Sequence, residues 1–301
     1  MQQELQYFAN GHWVPKSQAT VSLLDHALTK GLSVFEGLRI YNGSIFRLQD
    51  HLKRLEMSAK AVLIPLPYQP AEIGEMCKRF VEINEVLDGH FIVRLSPGAG
   101  YARSLETGPH ISIYGERGSV TGVSSEKGIR VKISSIRDIP PESFEPRIKC
   151  GGTYVNHALA LNDARVNGFD EAVFLGMNGF VTELTGGNIF AIKSKVLRTP
   201  KKEYVLEGIT RDTVIQIARK ERYLLHEEDL TPYDLYTADE LFTTGSGLGV
   251  IPIIEVEGRK IGEGRTSGPI TSKIIDAYFE VTHTPGPWLT NAYTTTQTVK
   301  A

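Results

Sequence analysis

Short apolar runs joined by Asn-Gly set the rhythm of the first fifty residues. "QYFANGHWV" turns at Asn10-Gly11 and "GLRIYNGSIFRL" turns at Asn42-Gly43, the dipeptide that suits a type I′ hairpin. Two hairpins so close in sequence predict an antiparallel sheet. From Leu48 to Val62 the period changes, with Leu48, Leu52, Leu55 and Ala59 on one helical face and Asp50, Lys53, Arg54 and Glu56 largely outside it. A second helix is predicted over Pro70–Val86, with Ile73, Met76, Phe80 and Ile83 as its buried stripe. Two further strands, "HFIVRLS" and "HISIYG", flank a glycine-rich loop from Pro97 to Gly108.

The polar stretch between Gly115 and Gly128 has no periodicity and reads as a linker. Beyond it come a strand, "IRVKISSI", and a proline-punctuated loop, "IPPESFEPRIK", whose prolines lack donors. A helix follows over Thr153–Val166, closed by Asn167-Gly168. "EAVFLGMNGFVTE" predicts a third Asn-Gly hairpin, and "NIFAIKSKVLRTP" a fourth with a longer turn. A helix at Thr210–Glu221, the strand "ELFTTG", the hairpin "IPIIEVEGRKIG" and a helix at Pro269–Val281 complete the pattern, before a polar tail expected to fray. The expected organisation is α+β with two domains: residues 1–118, a linker at 119–127, and a larger domain at 128–301.

Composition narrows the function classes. The chain has 301 residues, 41% hydrophobic, enough for two cores. Its 33 basic and 35 acidic residues nearly cancel, so nothing argues for nucleic acid. Two cysteines, Cys77 and Cys150, make no disulfide framework, and a reducing cytoplasm is the expectation. The first residues lack a signal-peptide pattern, and no apolar run reaches membrane-span length. There is no HExxH and no zinc knuckle, so no metal site is expected. "TTGSGLGV" invites a dinucleotide-binding reading, but Val250 stands where the third glycine belongs and strand-like "IPIIEVEG" follows instead of a helix. A turn offering backbone N–H groups to a carboxylate or phosphate fits better.

The candidate chemistry lies in "KCGGTYVNHALALNDARVNGFDEAVFLGMNGFVTELTGGN", from Lys149 to Asn188. Gly151 and Gly152 strip side chains beside Lys149, and a phenol and a carboxylate follow at Tyr154 and Glu183. An amine, a phenol and a carboxylate are the groups that pyridoxal phosphate asks of a protein. Cys150, next to the lysine, reads as a small buried residue.

On these residues the chain resembles the fold-type IV pyridoxal phosphate enzymes, and within them the branched-chain aminotransferases. The likeness rests on "KCGGTYVNHALA", "GFDEAVFL", "NGFVTE" and "GGNIFAI", and extends through "SVFEGLRIY", "LEGITRDTVIQIA" and "ADELFTTGSGLGVIPIIEVEGRKIGEG". It implies a small α/β domain beside a larger pseudo-barrel α/β domain. It implies Lys149 as the Schiff-base lysine, Glu183 on the pyridine nitrogen and Tyr154 on the phenolic oxygen. Leu206 would lie against the ring, and Arg47, Ile209, Thr210 and Ser246 would hold the phosphate, with Ser246 standing where the family usually has threonine.

Phe35, Gly37 and Arg39 match the branched-chain substrate signature, and Arg94 and Gly247 join them as expected substrate contacts; Arg103 is a second carboxylate candidate. The sequence departs from the family at Lys30, where a tyrosine is usual, at Ile92, where an arginine is usual, and at Gly187, where a glutamate is common. These departures fall in substrate recognition. The implied activity is amino transfer from leucine, isoleucine or valine to 2-oxoglutarate by a ping-pong route, in a cytoplasmic homodimer. A D-amino-acid or (R)-amine aminotransferase, an aminodeoxychorismate lyase, or a pyridoxal phosphate binder without catalysis are the alternatives.

Overall fold

Alternation along Val34–Tyr41 decides the first half of the fold. Val34, Glu36, Leu38 and Ile40 point to one face and are buried, while Phe35, Gly37 and Arg39 take the other. In the computed structural model, which describes residues 4–101, 104–118, 126–264 and 267–293, this strand is the third of seven in an antiparallel sheet. The hydrogen-bonded order is Leu289–Asn291, Ser44–Phe46, Val34–Tyr41, Gly89–Ser96, His110–Arg117, Gln6–Ala9 and His12–Pro15. Helices Leu48–Ala61 and Pro70–Ile83 pack into its core, with Leu48, Leu52, Leu55 and Ala59 buried as the periodicity requires.

A second sheet of nine strands is mixed, in the order Leu225–Glu227, Val196–Thr199, Asn188–Lys193, Glu240–Gly245, Gly249–Val256, Ile129–Ile133, Glu171–Leu175 and Val181–Leu184, with Arg259–Lys260 paired to Gly249–Val256. Only three residues join Val181–Leu184, at one end of that path, to Asn188–Lys193, near the other. The amide of Leu184 donates to the Gly187 carbonyl across this link at 2.7 Å. Six strands whose first and last members are so tethered must curl, which makes the sheet a half-barrel.

Among the described residues the chain divides into two units, one drawn from Met1–Val120, Ile148–Gly152 and Val281–Ala301, the other from Thr121–Arg147 and Thr153–Glu280. The expected linker at 119–127 falls mostly outside the described residues, as do Arg103 and most of the polar tail.

Several local expectations need correction. The stripe of the Pro70–Ile83 helix runs through Ile73, Cys77, Phe80 and Val81, with Met76 and Ile83 only half-buried. Asn10-Gly11 and Asn42-Gly43 have positive φ at both positions, as a type I′ turn demands, but at Asn178-Gly179 only the glycine does. There the Gly179 amide donates to the Gly176 carbonyl at 3.0 Å and the Asn178 side chain accepts from the Phe180 amide at 3.1 Å. The turn is closed one residue earlier, and the glycine is the left-handed residue after it.

The fourth hairpin has no longer turn: Ser194 and Lys195 alone connect its strands, both at positive φ. Asp239 makes this tolerable by accepting from the Ser194 amide and from Lys193. Helices His26–Thr29 and Pro232–Tyr236 and the short strands Leu225–Glu227 and Leu289–Asn291 carry too little pattern to be predicted.

Candidate active site

In the first unit the backbone of Lys149 is gripped on both sides. Its N–H donates to the Ser58 hydroxyl at 3.2 Å, and its carbonyl accepts from the Phe35 amide at 3.1 Å. Cys150 forms an isolated antiparallel bridge to Val34, and Gly151 donates to the Ser33 carbonyl at 2.7 Å. The segment is thus fastened to the end of the strand Val34–Tyr41. A Cβ on Gly151 would lie 2.6 Å from the Ser33 hydroxyl and 3.1 Å from Arg94 Nη1. What comes close to this glycine is the chain's own 31–33 segment and Arg94. Cys150 is buried, as expected.

The Lys149 amine lies 4.9 Å from the centroid of the Phe35 ring, and the Arg94 guanidinium 4.7 Å from the same centroid. Phe35 and Arg94 are register partners across the sheet, so they share a face with Gly37 and Ile92, the next pair. Arg94 donates to Ser33 Oγ at 2.7 Å and to the Tyr114 hydroxyl at 3.1 Å. Arg39 lies on this face four residues from Phe35, roughly 13 Å along a strand, and its guanidinium donates to the Gly89 and Gly118 carbonyls and to Asp88. Arg47 sits in left-handed backbone before the Leu48–Ala61 helix, donates to Asp50 at 2.7 Å and lies over Trp288.

The sequence reading missed a buried group on the opposite face. Glu36 takes both Nε and Nη2 of Arg54, at 2.6 and 2.7 Å, and lies 2.7 Å from His51 Nδ1. Burial works to raise the Glu36 carboxyl, but the Arg54 charge and the hydrogen bonds from Arg54 and His51 outweigh it and hold the pKa at about 2. Burial pushes the His51 imidazole down, opposed by Glu36 and helped by the charges of Arg54 and Lys149. His51, Arg54 and Ser58 stand at i, i+3 and i+7 on one helix, so one helical face carries all three toward Glu36 and the Lys149 backbone.

In the second unit Glu183 is held by its Oε2, which accepts from Asn188 Nδ2 at 2.9 Å and from the Leu206 amide at 3.2 Å. Asn188 Nδ2 also donates to the Leu206 carbonyl at 2.9 Å. One buried amide therefore ties the carboxylate to the segment that leads into the helix Ile209–Lys220. Gly208 caps that helix, and a Cβ there would collide with Asn188 Oδ1. Asn188, the last residue of "GGN", was another omission. Its one sequence signal was its place in a motif.

Thr210, in the first turn of the same helix, and Thr244, the register partner of Asn188, each bury a hydroxyl that has no hydrogen-bond partner among the described residues. Unpaired buried hydroxyls are costly unless a ligand completes them. Together with a helix N-terminus they suit a phosphate. Ser246 and Gly247 form the tight turn between strands Glu240–Gly245 and Gly249–Val256, where the Leu248 amide donates to the Gly245 carbonyl at 3.0 Å. Tyr154 opens the helix Tyr154–Val166 and stacks on His157. The donors and the acid thus fit a phosphorylated heterocycle. Among the described residues no group of three or more His, Cys, Asp or Glu could hold a metal ion, and no helix is long and apolar enough to cross a membrane.

Comparison with known proteins follows the same lines. The family described as Amino-transferase class IV matches residues 33–256. The branched-chain-amino-acid aminotransferase of Pseudomonas aeruginosa is 37% identical over 280 residues, 90% of this chain and 91% of that protein. Among solved structures, the branched-chain amino acid aminotransferase of Escherichia coli superposes with a TM-score of 0.91 at 30% identity, covering 97% of this chain and 100% of that one. The Thermobaculum terrenum enzyme of the same name, in its PLP-form, gives 0.87 at 30% identity, covering 96% and 99%.

Proposed function

This chain belongs to the class IV aminotransferases, enzymes of fold type IV that work with pyridoxal phosphate, and we propose that it moves the amino group of leucine, isoleucine or valine to 2-oxoglutarate. The observation that carries this reading is Lys149, fastened by both its amide and its carbonyl, with its amine against the ring of Phe35. The names of its relatives support the branched-chain substrate.

Pyridoxal phosphate, when bound, supplies an aldehyde that receives the amino group and a ring that draws electrons from the substrate α-carbon. Lys149 Nζ is the attachment point for that aldehyde. With the cofactor bound, the same amine would be the group that moves the proton between the substrate α-carbon and the cofactor's C4′. Glu183 keeps the ring nitrogen protonated, and its Oε2 is fixed for that task by Asn188 and the Leu206 amide. Tyr154 donates to the phenolic oxygen, and Leu206 covers the ring. Ile209, Thr210 and Ser246 hold the phosphate.

For the phosphate arginine the resemblance names Arg47, while Arg54 is the guanidinium placed in the buried group at the Lys149 segment. Alanine at each, with the cofactor dissociation constant as readout, decides between them. Phe35, Gly37 and Ile92 offer an apolar wall to a branched side chain, and Arg94 and Gly247 serve the carboxylate; Arg39, bonded to the Gly89 carbonyl, buttresses the strand Gly89–Ser96 that carries Ile92 and Arg94. The donor leaves as a 2-oxo acid before the acceptor enters, which makes the route ping-pong. Cytoplasmic residence and a homodimer belong to the same reading.

Borohydride reduction of the cofactor-loaded protein followed by peptide mapping is expected to place the label on Lys149. Lys149→Ala is expected to lose both the label and turnover. In assays with L-leucine, D-leucine, D-alanine, (R)-1-phenylethylamine and aminodeoxychorismate, L-leucine should be the preferred substrate. A label on another side chain, or turnover of D-substrates alone, would overturn the reading.

A further inference from the structure

Tyr154 occupies the first residue of its helix, and the apolar contacts that seat this helix are few. Ala160 and Ala164 pack against Ala172 and Phe174, but both alanines lie a turn or more beyond the tyrosine. His157 stands at i, i+3 and i+7 with them, so it extends their stripe toward the helix N-terminus. Its ring is parallel to that of Tyr154, with centroids 4.8 Å apart and planes at 17°. The ring of Phe174 meets it in a T-shaped contact, with centroids 5.3 Å apart and planes at 65°.

A polar contact fixes the imidazole from a third side. His157 Nδ1 lies 2.8 Å from the Thr185 carbonyl, and because a carbonyl can only accept, Nδ1 carries the hydrogen. Thr185 is itself anchored: its hydroxyl donates to Glu171, and its amide donates to the Ala172 carbonyl at 3.2 Å. Glu171 Oε1 accepts in addition from the Ala172 amide at 2.7 Å. The stack is therefore keyed through His157 to the strand Glu171–Leu175 and to the turn that follows Glu183.

We propose that His157 is a positioning residue for Tyr154, setting the plane of the phenol ring and with it the direction of the hydroxyl. The inference rests on the role given above to Tyr154, the bond to the cofactor's phenolic oxygen. A phenol whose ring can rotate donates along no fixed direction. A parallel ring held by a hydrogen bond removes that freedom before the cofactor arrives. The turn after Glu183 then bears on both ends of the heterocycle: Glu183 for the nitrogen, and Thr185, through His157, for the phenolic oxygen.

The test uses the full chain loaded with pyridoxal 5′-phosphate. It compares the parent with Tyr154→Phe, His157→Ala, His157→Phe and the double variant Tyr154→Phe/His157→Ala. Visible absorbance is followed against pH, the cofactor dissociation constant is measured, and circular dichroism checks the fold. Tyr154→Phe is expected to move the pH midpoint of the absorbance change. His157→Ala should move it in the same direction and weaken cofactor binding by about three- to ten-fold, the scale of one aromatic pair. His157→Phe keeps a flat ring against the tyrosine but loses the bond to the Thr185 carbonyl, and should restore both only in part. In the double variant the histidine change should add nothing to the tyrosine change.

A parent-like midpoint in His157→Ala, or a shift that adds in full to that of Tyr154→Phe, would overturn the inference while leaving the role of Tyr154 intact. A parent-like midpoint in Tyr154→Phe would remove that role, and the inference with it.

Discussion

Two glutamates, Glu36 buried and Glu171 half-buried, show how much depends on the neighbours. Glu36 has Arg54 and His51 against it, and its carboxyl is held down at about 2, whereas burial raises that of Glu171 against the hydrogen bonds from Thr185 and Ala172. The consequences for stability have opposite signs. For Glu36 the folded value lies below the ordinary glutamate value of 4.5, so its contribution is fully present above that value and is lost as pH falls from 4.5 toward 2. The amount is roughly 3 kcal/mol at about 1.4 kcal/mol per pH unit. Glu36→Gln, which removes the buried negative charge that faces Arg54, is expected to cost about 3 kcal/mol or more in urea unfolding at pH 7, and to flatten the acid limb of the stability profile.

For Glu171 the folded value lies above the unfolded one, so stability declines as pH rises through that window. Glu171→Gln keeps an acceptor for Thr185 and Ala172 and cannot ionise. Its unfolding midpoint at pH 8 should equal or exceed the parent's; a loss comparable to that of Glu36→Gln would refute the argument. Legibility in the sequence divides along the same line. Lys149, Tyr154 and Glu183 could be picked out because they sit in a motif. Glu36 shares an alternation with Val34, Leu38 and Ile40, which marks a charge on a buried face, but no pattern names its partner. Arg54, outside the apolar stripe of its helix, reads as a solvent-facing charge until the fold brings it to Glu36.

Turn chemistry governs the elements. Asn10-Gly11 and Asn42-Gly43 take the left-handed backbone that Asn-Gly favours, and both hairpins could be read in advance. Ser194 and Lys195 adopt the same geometry without a favoured residue at either position, which hid the short turn. Replacing this pair by Asn-Gly is expected to raise stability by up to about 1 kcal/mol, read as a higher unfolding midpoint with unchanged cofactor affinity. Gly208→Ala should do the reverse. The added methyl would strike Asn188 Oδ1 and disturb the amide that holds Glu183. Cofactor dissociation should then rise by tenfold or more, while the unfolding midpoint of the cofactor-free protein moves little. A variant that binds the cofactor as the parent does would show that Asn188 does not position the carboxylate.

At the scale of the whole molecule the chain is not two consecutive pieces. The first unit recruits Ile148–Gly152 and the strand Leu289–Asn291, whose residues pair with Ser44–Phe46. Both recruits are too short to show a period, so the sequence pattern suggested a clean division after residue 118. A fragment of residues 1–118 lacks the edge strand, the Trp288 ring over Arg47 and the segment bridged to Val34. It is expected to lose cooperative thermal unfolding, and a sharp transition at the parent's temperature would show that these pieces contribute little. The attachment of Ile148–Gly152 has one more use. Cys150 lies within it and Cys77 lies deep under the sheet; both are buried and neither is in a disulfide. Alkylation of the native protein thus offers two gauges in one chain: Cys150 should react whenever the lysine-bearing segment lifts from its strand, and Cys77 only when the whole core opens.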